Sequence, residues 1–305
     1  MSYAEIFQPQ RQDGKMQVHW LDFVVIGAVA AGVWYFYNQV NTVLHYNWDW
    51  NTIPIYIFRW DADEGQWVSN LIVQGFFITI RLAIWSILCA SVLGVTFGLF
   101  RVSPSLFLRL LGRAYVEFVR NMPPLVFIFI FYFFLSDQIM PLIGAEDFVH
   151  HAGPTSIWIV ERLFGPANLF ANFLSGVMVL ALFEGAYVTE IVRAGIQSVG
   201  RGQWEAGSSL GLSRFKLLRY IIIPQAIQKI VPPLCNQFIQ TIKDSSIVSL
   251  ISIQELTFLS VEVAVSTTRV FEVWITAAVI YFFICWGLAR VFSRLESKMA
   301  ESRGR

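Results

Sequence analysis

Five runs of mostly apolar residues dominate this chain, at about 21–43, 71–100, 113–136, 170–192 and 271–292. A helix needs about 20 such residues to cross the hydrocarbon core of a bilayer. Composition points the same way: 56% of the 305 residues are hydrophobic and only 14% are charged, where soluble domains are about a quarter charged. So little polar surface could not cover a soluble exterior, and the chain reads as an all-α integral membrane protein. The formal net charge of +1 gives no reason to expect a nucleic-acid partner.

A sixth run, about 228–250, is weaker, because it is interrupted by Lys243 and Asp244. Charge distribution argues for it. Arg101, Arg109, Arg113 and Arg120 follow the second run; Arg193, Arg201, Arg214, Lys216, Arg219 and Lys229 fill the segment 193–229; Arg290, Arg294, Lys298, Arg303 and Arg305 end the chain. The segments 44–70 and 137–169 carry one basic residue each, Arg59 and Arg162. Basic connections stay in the cytoplasm, so an even number of crossings separates 193–229 from the tail. Six spans follow, with both termini cytoplasmic. Residues 1–20 would form a cytoplasmic segment, 21–43 an extra N-terminal span, 44–70 a periplasmic loop, 71–293 the main transmembrane domain and 294–305 a cytoplasmic tail. The first run is expected to be a retained anchor: Ala28-Val29-Ala30 lies inside the apolar stretch, not after it as a cleavage site would.

Trp34, Tyr35, Tyr37, Trp48, Trp50, Trp60 and Trp67 crowd the first outer connection, as an interfacial aromatic belt would. Gly94 and Gly98 form a GxxxG in the second span, a spacing that lets helices approach closely. Cys89, Cys235 and Cys285 are dispersed in apolar runs, which suits neither disulfides nor a metal site. His150 and His151 stand in a connection. No catalytic constellation emerges, and the chain is expected not to be an enzyme.

Ionisable residues at membrane depth are costly unless paired or facing a cavity. Arg81, Glu184, Lys243 and Asp244 fall there, the last two followed by Ser245 and Ser246. These six are candidates for a polar translocation pathway, the cations suiting a substrate carboxylate and Glu184 or Asp244 an ammonium group. Glu190 and Arg193, three apart, can neutralise each other.

Residues 193–229 are too long and too patterned for a turn. Residues 203–210 can form a short helix, Gly211 can end it by taking positive φ, and Ser213 can cap a second helix from Arg214. Pro224 disturbs the approach to the next span. Lipid binding by an amphipathic helix explains the basic residues, but not the Glu205-Ala206-Gly207 start or the glycine break.

This spacing resembles a known motif. Glu205-Ala206-Gly207, three residues, Gly211, nine residues, then Ile221-Ile222-Ile223-Pro224 resembles the "EAA" motif of permease subunits of ATP-binding cassette (ABC) importers. That motif reads E-A-A, three residues, G, nine residues, I-x-L-P; here Gly207 replaces the second Ala and Ile223 the Leu. GAYVTEIVRAGIQSVGRGQWEAGSSLG, FVRNMPPLV and QTIKDSSIVSLISIQEL resemble the polar-amino-acid branch. The similarity covers about 71–293; the first span and the long 137–169 connection are additions to the usual five-span core.

The resemblance implies a five-span type I permease core with a cytoplasmic coupling loop at 197–224, in which Glu205, Ala206, Gly207, Gly211 and Pro224 meet a separate ATPase. It implies as partners a cytoplasmic ABC ATPase dimer, a second permease subunit (identical or homologous) and an extracytoplasmic amino-acid-binding protein, within membrane lipid. The chain has no G-x-x-x-x-G-K-[ST] phosphate loop, so ATP and Mg would be bound by the partner ATPase and no cofactor by this chain. The cargo implied is a polar amino acid: glutamate, glutamine or aspartate. The rival class is an ion-coupled secondary amino acid transporter using Glu184. Inverted repeats would favour it, and none are visible.

Overall fold

The computed structural model describes residues 20–63 and 65–301, so the expected N-terminal segment lies outside the described residues up to Trp20. The chain falls into two units, one ending at Asp49 and one starting at Trp50. In the first, α1 (Trp20–Thr42) is the extra span. Its apolar side chains run round all its faces, the form a lipid-exposed helix takes. The chain then folds back: the Trp48 indole stacks on Tyr37 with ring centroids 5.9 Å apart and donates to Asn41 Oδ1 at 2.8 Å.

The second unit opens with regular structure where the sequence predicts a loop. A short helix α2 (Thr52–Ile57) leads into an antiparallel hairpin, β1 (Phe58–Asp61) with β2 (Gln66–Ser69). Aromatic and β-branched residues favour strands, and Trp60 faces Trp67 across the pair. Asn70 then caps α3 (Leu71–Arg101), accepting from the Leu71 N–H, while its own amide donates to the Ile55 carbonyl.

The third apolar run is divided where one span was expected. Residues up to Arg120 belong to an amphipathic helix, α4 (Leu106–Arg120). The chain breaks at Asn121–Pro123, since the residue before a proline is pushed out of the helical region. The membrane helix starts only at α5 (Pro124–Ile130), with proline at its first position, where a missing N–H costs nothing. It runs through a π-helical stretch, Phe131–Ser136, into α6 (Asp137–Leu142). The 137–169 connection is therefore structured too, with α7 (Ala145–His151) and α8 (Pro154–Leu163).

A 3₁₀ turn, Ala167–Leu169, leads into α9 (Phe170–Gln197). α9 is the hub of the bundle: 61% of its most apolar stretch is buried, against 33% for α3. The pair is parallel, because Leu82 packs at Gly176 and Leu93 at Gly185. Gly94 and Gly98 face Val188 and Val192 so closely that a Cβ on either would overlap the valine. Lipid offers no hydrophobic drive between helices, so this close packing is what holds them together.

The weak sixth run is a longer and bent structure. After α10 (Arg201–Ser209) and α11 (Arg214–Leu217), a π-helical turn at Leu218–Ile222 passes directly into α12 (Ile223–Asp244) and a 3₁₀ end, Ser245–Ile251. The run Arg214–Ile251 meets α13 (Leu256–Thr267) at 52°. The last span, α14 (Val270–Glu301), continues through residues read as tail. Five helical runs are thus long and apolar enough to cross a membrane among the described residues, six if the bent pair is one span.

At the bend, buried Glu255 joins three helices. Its Oε1 caps α13 through the Phe258 N–H at 2.9 Å, and its Oε2 accepts from Tyr281 on α14 at 2.7 Å and Thr79 on α3 at 3.3 Å. Gly75 makes room for this junction, since a Cβ there would stand 2.8 Å from the Leu256 Cα.

Candidate functional site

Two regions concentrate the candidate residues. The first is the loop from α9 to α12. α10 ends in a Schellman motif: the Leu212 N–H bonds to the Gly207 carbonyl at 3.2 Å and the Gly211 N–H to the Ser208 carbonyl at 2.9 Å. Gly211 takes φ +74°, a conformation that costs a side chain but not glycine. The Ser213 hydroxyl accepts from the Lys216 N–H and starts α11. Buried Gly207 lies against Leu217, where a Cβ would overlap that side chain; glycine in place of the motif's second Ala lets the two short helices close on each other. Pro224, which has no N–H to donate, is the second residue of α12, just past the π-helical turn.

The loop is anchored to the bundle from several sides. Trp204, Leu217 and Ile222 pack with Val188, Val192 and Ile196 of α9. Arg214 donates to the Val102 carbonyl at 2.8 Å and Lys229 to the Ser198 carbonyl at 2.6 Å. Glu190 pairs with Arg193 at 2.7 Å and also with Arg101 of α3 at 3.2 Å, a partner the sequence reading missed. Glu205 and Ala206 are exposed, and Leu210 and Phe215 leave 78% and 77% of their surface uncovered. The result is a braced helix–turn–helix presenting an apolar patch with one acidic group beside it.

The second region is a polar cluster between α9 and α12. Glu184 is fully buried; its Oε2 accepts from the Gln237 amide at 2.5 Å, its Oε1 has no donor among the described residues, and the Asp244 carboxyl lies alongside. Asp244 Oδ1 accepts from Gln240 at 3.0 Å. Tyr187, one turn from Glu184, lies under the Arg120 guanidinium at 5.3 Å. Two buried carboxyls side by side repel when both are charged, and an ammonium group placed between them would relieve that repulsion.

The six pathway candidates do not form one site. Only Glu184 and Asp244 meet. Lys243, one residue from Asp244, is turned by about 100° around the helix and lines a separate groove with Tyr281, Cys285 and Trp286 of α14. The Ser245 and Ser246 hydroxyls donate to the carbonyls of Ile242 and Lys243, each at 2.7 Å, and so serve their own helix. Arg81 lines a cavity nearer the start of α3. Gln237, Gln240 and Glu255 were not singled out by sequence; for the first two, the four-residue step from Gln237 to Thr241 and from Gln240 to Asp244 was the available signal.

Known proteins share this architecture. Residues 86–301 match the family described as the inner membrane component of binding-protein-dependent transport systems. The probable glutamine ABC transporter permease protein GlnM of Bacillus subtilis is 32% identical over 233 residues, 76% of this chain and 95% of that protein. The L-cystine transport system permease protein TcyB of the same organism is 34% identical over 243 residues, 79% and 91% of the two chains. A crystal structure of an amino acid ABC transporter with histidines is similar at 30% identity and a TM-score of 0.63, covering 83% of this chain and all of that one. With a family match over more than two thirds of its residues and relatives above 30% identity, the chain belongs to the inner membrane components of binding-protein-dependent transport systems.

Proposed function

We propose that this chain is the permease subunit of an ATP-driven importer, and that the loop through α10 and α11 docks a cytoplasmic ATPase. The observation that carries the reading is the braced loop itself. It keeps its glycine turn and cap, is tied to α9 and α3 at its base, and leaves Glu205, Leu210 and Phe215 uncovered for a partner. A push on that patch is delivered to the α9 base through Trp204 and Leu217, and to α12 through the continuous helix from Arg214.

The cargo is a polar amino acid, with glutamine, glutamate and aspartate the first to try. The buried Glu184–Asp244 pair supports an α-ammonium site, and the relatives' names concern glutamine and cystine. The complex would hold two ATPases, a second permease and an external binding protein; ATP and Mg belong to the ATPase. The loop faces the cytoplasm, as do both termini, and the hairpin faces outward. An ion-coupled carrier built on Glu184 is not favoured, because it leaves the loop without a task.

Reconstitution of the complete complex tests this. Uptake of labelled glutamine should require ATP and persist when ion gradients are collapsed. Uptake by this chain alone, driven by an ion gradient, would overturn the reading. A reporter near Arg201 should lie in the cytoplasm and one near Glu146 outside; the reverse would refute the orientation.

A further inference from the structure

Among the described residues, the cation at membrane depth that lines an enclosed cavity at the outer end of the spans is Arg81. The Arg81 guanidinium makes no hydrogen bond or ion pair with any described residue. An unpaired arginine within a spanning helix marks a functional site by default. It lines a cavity of about 350 Å³ between α3, α8, α9 and the bend at 252–254, within the size range of small-molecule sites.

The cavity is built by the outer connection. The α8 end is clamped on α3: Phe164 stacks on Trp85 with centroids 4.9 Å apart, and the Trp85 indole donates to the Leu163 carbonyl at 3.2 Å. Gly165, at φ +114°, permits the approach, since a Cβ there would overlap Ile78. Two polar side chains of the wall are already engaged. Gln74 donates to the Ser69 carbonyl, and Asn172 both donates to the Ser252 carbonyl and accepts from Tyr132. The Gln254 amide, like Arg81, has no bond to the described residues. Arg162 stands near enough to Arg81 to repel it, while Glu161 lines the cavity without pairing with Arg81. An unpartnered guanidinium over a cavity, with a second arginine adding positive potential, favours an anion there, and the planar fork of arginine matches a carboxylate.

α3 and α9 run in parallel, with Leu82 at the level of Gly176. Arg81 thus lies about nine residues, or roughly 14 Å along the helix, from the level of Glu184. We propose that the cavity beneath α8 is an outer vestibule in which Arg81 holds the carboxylate of an incoming amino acid before it reaches the Glu184–Asp244 pair. This rests on the amino-acid importer reading and its orientation.

Equilibrium binding to the full chain in nanodiscs, without any binding protein, tests it. The probe is tritiated L-glutamine, and the competitor is L-glutaminol, which has a hydroxymethyl group in place of the carboxylate. The intact chain should prefer glutamine by about tenfold or more, the worth of a charge-assisted pair. Arg81→Gln should weaken glutamine by a similar factor and erase most of the preference; Arg81→Lys, which keeps the charge but not the fork, should fall between. Glu161→Gln, an exposed change that does not threaten folding, should tighten glutamine by about two- to threefold through lost repulsion while leaving glutaminol unchanged.

Glutamine binding with the same preference in Arg81→Gln, or no change in both Arg81→Lys and Glu161→Gln, would overturn the vestibule and leave the importer reading intact. Failure of the unaltered chain to bind any amino acid in a labelled panel would also overturn the vestibule, while the importer reading stands or falls on the ATP dependence of uptake by the complete complex. The Arg81→Gln effect should be equal in discs of phosphatidylcholine alone and discs with phosphatidylglycerol. An effect confined to the latter would make a lipid phosphate the occupant and refute the proposal.

Discussion

The loop between α9 and α12 and the acidic cluster differ in how they are built. The loop is local: Gly207, Gly211, Ser213 and Leu217 lie within eleven consecutive residues, and each fixes the next through one cap, one turn or one contact. The cluster is assembled from a distance. Glu184 on α9 meets Gln237 and Asp244 on α12, more than fifty residues away, and only helix packing decides that they meet. A mechanical part that must move as one body is well served by local, redundant bonds. A binding site that must open to a substrate is better made at the seam between elements.

The sharpest way to test this contrast is at Glu184. Glu184→Gln keeps the size and can still bond Gln237, but removes the acidic group offered to the substrate. Uptake should fall by about a hundredfold, the loss of a buried charge pair, while ATP hydrolysis by the assembled complex continues; initial rates in proteoliposomes measure it. An uptake loss matched by loss of ATPase binding would erase the distinction between the two regions.

Next in size is Glu255, which belongs to neither region. Glu255→Ala removes a helix cap and two further hydrogen bonds at the α13 bend. It should cost about 2–4 kcal/mol and lower the unfolding midpoint measured in detergent. Glu255→Gln should recover part of that. Equal stability for all three proteins would mean that the junction is held by packing alone.

The smallest effect is expected at Lys243. Its side chain faces the α14 groove, so Lys243→Gln should change the half-saturation for uptake by no more than about twofold, as for an exposed charge. A tenfold change would place Lys243 on the pathway beside its neighbour Asp244 and blur the line drawn here.

These same features explain what could be read in advance. Span count and the loop were legible, because apolar runs, a glycine turn and a serine cap are written in consecutive residues. The start of the third span was misplaced because α4 carries enough apolar residues on one side to extend the run backward; the two prolines at 123 and 124 were the sign that the helix restarts there. The hairpin at 58–69 was hidden by its eight strand residues, too few to show a period. Which face a polar residue takes was not legible at all. Lys243 and Asp244 are adjacent in sequence and line different surfaces, and Glu255 shows its role only when Thr79 and Tyr281 are brought to it.

The central claim is that the loop transmits an ATPase's motion to the spans, and Gly211 is where it can be tested most directly. At φ +74° a leucine is strained, while the open space around this position leaves it no clash, so Gly211→Leu should alter the angle of α10 to α11 and spare the bundle. The measurement is the ratio of amino acid taken up to ATP hydrolysed, in proteoliposomes holding the complete complex. The account predicts normal insertion, continued hydrolysis and a ratio reduced by about tenfold or more, since αL strain of 1–2 kcal/mol is relieved only by leaving the coupled geometry. An unchanged ratio in a correctly inserted complex would contradict it.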